Sequence, residues 1–120
     1  MQEYGYKKLI VWQKSIDLVV AIYALTKEFP KEELFGLTSQ MRRASVSVPS
    51  NIAEGSGRHT KRDFHHFLSI AYGSVMELET QLIIAKKLLF GKIHAYEKIE
   101  PLLGDVIRML NKMSVNKTSD

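Results

Sequence analysis

Apolar residues recur along this chain at steps of three and four, and nowhere at steps of two for long enough to suggest a strand. From Leu9 to Lys27 they fall on two neighbouring helical stripes, Trp12, Ile16, Val19 and Tyr23 on one and Val11, Leu18, Ile22 and Leu25 on the other. A stripe of about 100° is enough to face a bundle core, so this helix has apolar surface left over. Either it is deeply buried or its second stripe meets another subunit. Phe29-Pro30 stops it, because the residue before a proline is pushed out of the α region.

The second pattern runs from Leu34 to about Glu54, with Leu37, Met41, Ala44, Val48 and Ile52 on one face. Arg43, Ser47, Ser50 and Glu54 form a polar line opposite. Pro49 lies inside the pattern and cannot donate to the carbonyl of Ser45, so a kink is expected there with the helix continuing beyond. Gly55 and Gly57 are expected to end it. Thr60 then reads as an N-cap, with Asp63 in the position of a capping-box acid. The third pattern, Phe64, Leu68, Ala71, Val75, Leu78, Leu82, Ala85 and Leu89, is a coiled-coil-like seam about 40 Å long at about 1.5 Å per residue. Gly73-Ser74 interrupts this helix at a cost of about 1 kcal/mol for the glycine, and close approach of another helix is the expected compensation. Gly91 closes the helix. Tyr96, Ile99, Leu103, Val106, Leu110 and Met113 mark a fourth, with a possible kink at Pro101 and a frayed tail from Ser114 to Asp120.

Four helices, over about 9–28, 34–54, 60–90 and 94–113, with short connections and no internal repeat, predict an all-α fold: an antiparallel up-and-down four-helix bundle in one domain across 1–120, assembled into a homo-oligomer. Such bundles serve many functions, so the chemistry has to come from particular residues.

Charge changes the picture. Between Gln40 and Arg62 stand Arg42, Arg43, Arg58, Lys61 and Arg62 against Glu54 alone, which accounts for the whole formal charge of +4. The rest of the chain balances, and localised charge of this kind points to an anionic partner. Arg58, Lys61 and Arg62 also flank a helix N-terminus, where free N–H groups and the macrodipole favour an anion. GSGRHTKR lacks Walker A spacing and follows no strand, so nucleotide hydrolysis is not implied. Solvated loop charge is the alternative reading of the same residues. Arg42 and Arg43 point about 100° apart, Arg43 along the polar line and Arg42 beside the core face. Both have a structural alternative, as partners of Glu54, Glu77 or Glu79 inside an assembly.

Other chemistry finds little footing. There is no cysteine, hence no disulfide and no thiolate metal site. Asp63-Phe64-His65-His66 holds one acidic-x-x-His spacing, but no second helix matches it and His94 stands alone, so neither a metal nor another cofactor is expected. The serines come with no sign of a histidine and an orienting acid beside them, and the expectation is a protein that is not an enzyme. Lys14 and Asp17 break the longest apolar run, and the first residues hold no signal-like stretch. The expected setting is the cytoplasm, with no membrane partner.

The segments VWQKSIDLV, FPKEELFGLTSQMRRASVSVPSNIAEGSGR and FLSIAYGSVMELETQL resemble the four-helix bundle proteins encoded within intervening sequences of bacterial large-subunit (23S) ribosomal RNA genes, over about Tyr6 to Met113. The resemblance implies a homopentamer of up-and-down bundles around a central channel. It also implies kinship with the accessory variability proteins of diversity-generating retroelements, which bind nucleic acid through a basic surface and associate with a reverse transcriptase. Arg42, Arg43, Asn51, Glu54, Gly55, Arg58, Gly73, Ser74 and Glu77 match the family's signature positions, and Pro49 its proline. Asn51, Glu54, Gly73, Ser74 and Glu77 are thereby expected to make structural or inter-subunit polar contacts. Pro101 and the His65-His66 pair depart from the usual pattern.

The expected function is a non-catalytic oligomeric nucleic-acid-binding protein, for RNA rather than DNA, that holds phosphates on Arg42, Arg43, Arg58, Lys61 and Arg62. No aromatics are interleaved with these cations, so base stacking is not expected. The alternative is an interaction scaffold that presents helices to a protein partner such as a polymerase or reverse transcriptase.

Overall fold

The computed structural model describes residues 5–117. A short 3₁₀ turn (Gly5–Lys8) leads into α1 (Ile10–Thr26), and a second one (Lys31–Glu33) precedes α2 (Leu37–Ser56). Helices α3 (Lys61–Lys87) and α4 (Ile93–Lys117) complete the chain. Each helix packs on two others in the cyclic order α1, α2, α3, α4, and the diagonal pairs do not approach. This is the expected antiparallel four-helix bundle. Among the described residues no helix is long and apolar enough to cross a membrane.

The core is what the three-four stepping selects. Leu18 and Ile22 from α1, Met41, Val48 and Ile52 from α2, Leu68, Val75 and Leu78 from α3, and Ile99, Val106 and Leu110 from α4 are all fully buried. Burying one such side chain contributes about 1.5–3 kcal/mol. Only one stripe of α1 joins them. Trp12, Ile16 and Val19 are half-buried and Tyr23 is exposed, so the surplus apolar surface of this helix faces outward.

Several helix ends differ from the sequence expectation. Helix α2 starts at Leu37, three residues late, because Lys31–Glu33 is occupied by the 3₁₀ turn and the Glu33 carboxylate accepts from the Leu37 N–H at 3.2 Å. Gly55 does not end α2. It is buried inside the helix, where a Cβ would sit 2.9 Å from the Cβ of Phe67 and 3.2 Å from the carbonyl oxygen of Phe64, so its role is close packing of α2 on α3. Gly57 is the C-cap. Both Pro49 and Pro101 lie within continuous helices.

Helix α3 stops at Lys87, and Leu89 is no member of the seam: it is 87% exposed with φ 62°. The N–H groups of Leu89 and Phe90 return to the carbonyls of Lys86 and Ala85, a Schellman cap with leucine where glycine is usual. Gly91 follows at φ 77°, pressed against Leu25. Phe90 packs on Phe29 with ring centroids 5.5 Å apart, and its carbonyl accepts from the buried Tyr96 hydroxyl at 2.6 Å. Desolvation raises the Tyr96 pKa to about 12. Helix α4 runs on to Lys117, past the expected fraying point, and the tail beyond it lies outside the described residues. No helix of the same chain approaches Gly73, which faces open space.

Candidate nucleic-acid interface

The turn between α2 and α3 is short and conventionally made. Gly57 caps α2 with its N–H on the Glu54 carbonyl, the Arg58 N–H reaches the Gly55 carbonyl, and the Thr60 hydroxyl accepts from the Asp63 N–H at 3.1 Å. This satisfies donors at the start of α3 and leaves the side chains of Arg58, Lys61 and Arg62 exposed. Arg58 is oriented twice. It donates to Glu54 at 3.1 Å, and its guanidinium lies 4.6 Å from the ring centroid of Phe67. Both members of that ion pair are about half exposed, so it steers Arg58 more than it stabilises the fold.

The five cations singled out in the sequence do not form one patch. Arg43 precedes Arg58 by fifteen residues on the α2 side, about 22 Å at helical rise, and sits at mid-height in the bundle. It is exposed and lines a cleft of about 160 Å³ together with Ser47, Ser74 and Glu77. Arg42 is used elsewhere. Its Nε donates to the buried Thr26 hydroxyl at 2.9 Å, and its guanidinium stacks 4.6 Å from the Tyr23 ring, tying α2 to α1. Within the chain the bonds of Arg42 thus go to the first helix.

Among the other signature residues, Ser74 and Asn51 both bond Ser47, Ser74 across the α2–α3 contact and Asn51 within α2. The Ser47 and Ser74 hydroxyls are 2.8 Å apart, and the Asn51 amide donates to the Ser47 carbonyl at 2.8 Å and to its hydroxyl at 2.9 Å. Glu77 accepts from Gln81 at 3.2 Å. Among the described residues no three His, Asp or Glu side chains converge as a metal-holding group.

Topology adds cations that the linear pattern did not single out. Because the helices alternate in direction, the start of α1 and the end of α4 stand at the same end of the bundle as the α2–α3 turn. The 3₁₀ turn carrying Lys7 and Lys8 packs on α2, with Tyr6 in a groove beside Pro49, Ser50 and Ala53. Lys112 lies two turns beyond Asp105, which is tied to Lys14 at 2.7 Å. The Lys14 hydrogen bond holds the Asp105 carboxyl below its ordinary pKa. Lys7, Lys8, Lys14, Arg58, Lys61, Arg62, Arg108 and Lys112 thus stand towards one end with Asp17, Glu54, Asp63 and Asp105 among the described residues. The signal was available as a rule of connectivity: in an up-and-down bundle of four, both termini lie at the end of the middle turn.

Comparison with known proteins agrees with the fold. Residues 7–112 match the model of a family described as 23S rRNA-intervening sequence protein. Among solved structures, a protein of unknown function from the S23 ribosomal protein family of Bacteroides thetaiotaomicron superposes with a TM-score of 0.79 at 24% identity, covering 88% of this chain and 98% of the other. No curated protein matches.

Proposed function

We propose that this chain, which belongs to the 23S rRNA-intervening sequence protein family, is a non-catalytic, self-assembling protein of the cytoplasm that holds RNA by its phosphates at the basic end of the bundle. One observation carries this reading: eight cations stand towards one end against four carboxylates. The field of such a surface attracts a polyanion without reading its sequence. The family's description names ribosomal RNA, which favours RNA over DNA as the partner. Assembly, with a homopentamer as the number the family resemblance implies, multiplies the contacts, because several basic ends grip one strand.

The test is a salt series with a structured RNA and a duplex DNA of equal length. Log affinity falls with log salt by roughly 0.7 to 0.9 per phosphate contact, so several contacts per subunit give a steep line. A flat dependence overturns the reading.

A further inference from the structure

The turn that joins α3 to α4 carries apolar surface that the fold does not use. Leu88 is 53% exposed, Leu89 87% and Ile93 62%, three large side chains in solvent on one turn. Leu89 stands apart from the other two. Its backbone is left-handed at φ 62°, where a leucine is strained and a glycine is not. In a Schellman cap the hydrophobic contact back to the helix is made by the next residue, and here Phe90 makes the inward contact, on Phe29. The Leu89 side chain thus adds strain to the fold and contributes no packing.

The frame beneath these side chains is fixed. The Phe29–Phe90 ring contact, the Tyr96 hydroxyl on the Phe90 carbonyl at 2.6 Å and Gly91 pressed on Leu25 hold the backbone from below. The leucines stand on a rigid tip, so little order has to be gained when something covers them.

Charge selects what covers them. From Lys86 to His94 the chain reads KKLLFGKIH, three lysines and no acid. Lys86 is tied to Glu100 at 3.0 Å, whereas Lys87 and Lys92 are exposed. The acids of this end, Glu28, Glu32, Glu33, Glu97 and Glu100, lie on the α1–α2 connection and on α4 below the turn. Cations therefore flank an apolar point. A second copy set tip to tip would bring lysine against lysine. A bilayer with anionic headgroups offers the complementary order, negative charge at the entrance and hydrocarbon beneath. Lysine stems are long enough to keep their ammonium groups among the headgroups while leucines go deeper.

We propose that the α3–α4 turn is a membrane-surface contact: Leu88, Leu89 and Ile93 enter the acyl boundary of an anionic bilayer, and Lys87 and Lys92 hold its headgroups. The bilayer is touched and not spanned, since among the described residues no helix is long and apolar enough to cross it. A search for long apolar runs misses such a site, because its apolar residues are few and divided by a turn. RNA and lipid are thereby assigned to opposite ends of the bundle.

The experiment is sedimentation of the full chain with phosphatidylcholine vesicles, with and without phosphatidylglycerol, beside the RNA salt series. The wild type is expected to sediment with the anionic vesicles and to stay in solution with pure phosphatidylcholine. Leu89→Gly relieves the left-handed strain, so its thermal midpoint does not fall, while its vesicle affinity drops by about tenfold or more. Leu88→Gln, at an ordinary φ of −80°, repeats the loss of vesicle binding without touching the strained position. Lys87→Ala with Lys92→Ala loses most of the preference for phosphatidylglycerol. All of these variants keep the RNA affinity of the wild type, and Arg58, Lys61 and Arg62 changed together to Ala keep vesicle binding. A wild type that sediments with neither vesicle overturns the proposal, and a native mass that then changes with Leu89→Gly assigns the tip to a second copy instead. Vesicle binding that survives both leucine changes, or that vanishes with Arg58, Lys61 and Arg62, places the lipid contact at the basic end and overturns it equally. A lysine variant that keeps its preference for phosphatidylglycerol overturns the role given to the headgroups. None of these outcomes touches the RNA reading, which stands or falls with its own salt series.

Discussion

The two ends of this bundle differ in the balance of their charges among the described residues. At the end of the α3–α4 turn, Lys27, Lys31, Lys86, Lys87, Lys92 and Lys98 are interleaved with Glu28, Glu32, Glu33, Glu97 and Glu100. At the end of the α2–α3 turn, eight cations, Lys14 and Arg108 among them, face Asp17, Glu54, Asp63 and Asp105. The backbone differs in the same sense. The α3–α4 turn holds two left-handed residues, an aromatic pair and a buried tyrosine hydroxyl bond, whereas the α2–α3 turn has ordinary geometry and leaves its cations at the surface. One end closes the core; the other leaves its cations at the surface. A positive field arises where cations outnumber carboxylates, and not simply where lysines are dense.

The strongest way to break this contrast is to put one methyl group into each turn. Gly91→Ala forces alanine into φ 77° and places its Cβ 2.6 Å from Leu25 Cδ1 and 3.3 Å from Phe29 Cε1, so a loss of about 2–4 kcal/mol is expected. Gly57→Ala at φ −86°, with nothing nearer than the Glu54 carbonyl at 3.6 Å, changes stability by no more than about 0.5 kcal/mol. Urea denaturation of the two variants measures the difference. Equal losses would mean that the two turns are held alike.

Charge removal comes next. Arg58, Lys61 and Arg62 changed together to Ala lower RNA affinity by roughly ten- to a hundredfold at low salt and reduce the salt slope by about 2, at about 0.7 per contact for single strands. Lys86, Lys87 and Lys92 changed together to Ala alter RNA affinity by less than about threefold, because those lysines already stand among glutamates. Filter binding at several salt concentrations compares the two. Matching losses would show that total charge, not the contrast between the ends, governs binding.

Much of the fold was legible because burial follows periodicity. The seam from Leu68 to Ala85 and the α2 face from Met41 to Ile52 are buried as their spacing requires. Helix ends were read less well, since glycine signals permissiveness and not its use. Gly55 serves packing against Phe67, and Leu89 takes the left-handed position that a glycine would be expected to hold. Of the candidate site, the cations of the middle turn could be seen in sequence. That Arg42 would be drawn to Thr26, and that Lys7, Lys8 and Lys112 would join the turn, depended on which helices are neighbours and which ends coincide. Linear charge counting contains neither fact.

Tyr96 offers a smaller effect with a pH signature. Tyr96→Phe leaves the Phe90 carbonyl without its donor, a loss of about 1 kcal/mol at neutral pH. Burial raises the hydroxyl pKa from 10.0 to about 12, so the folded state favours the neutral form. The corresponding stability is complete below pH 10 and is lost as pH rises from 10 towards 12. Lysines and other tyrosines titrate in the same range, so the informative quantity is the difference between wild type and Tyr96→Phe. In chemical denaturation that difference should shrink between pH 9 and pH 11. A gap that is constant with pH would mean that the hydroxyl is not held neutral by its surroundings.

The mildest perturbation bears most directly on the role of the acids. Glu54→Gln keeps the shape of the side chain and removes the carboxylate that Arg58 faces at 3.1 Å. The pair is surface-exposed and one helical turn apart, so its loss costs about 0.5 kcal/mol or less. Removing it should strengthen RNA binding by roughly two- to threefold, because Arg58 no longer divides its attraction between a carboxylate and a phosphate and one opposing charge is gone from that end. Stability and affinity therefore move in opposite directions, a result that neither a folding defect nor a purely structural ion pair would produce. Weaker binding by Glu54→Gln would mean instead that the carboxylate holds the guanidinium, stacked on Phe67, in the orientation that RNA needs. The basic end would then owe its action to the placement of Arg58 as well as to its excess of cations.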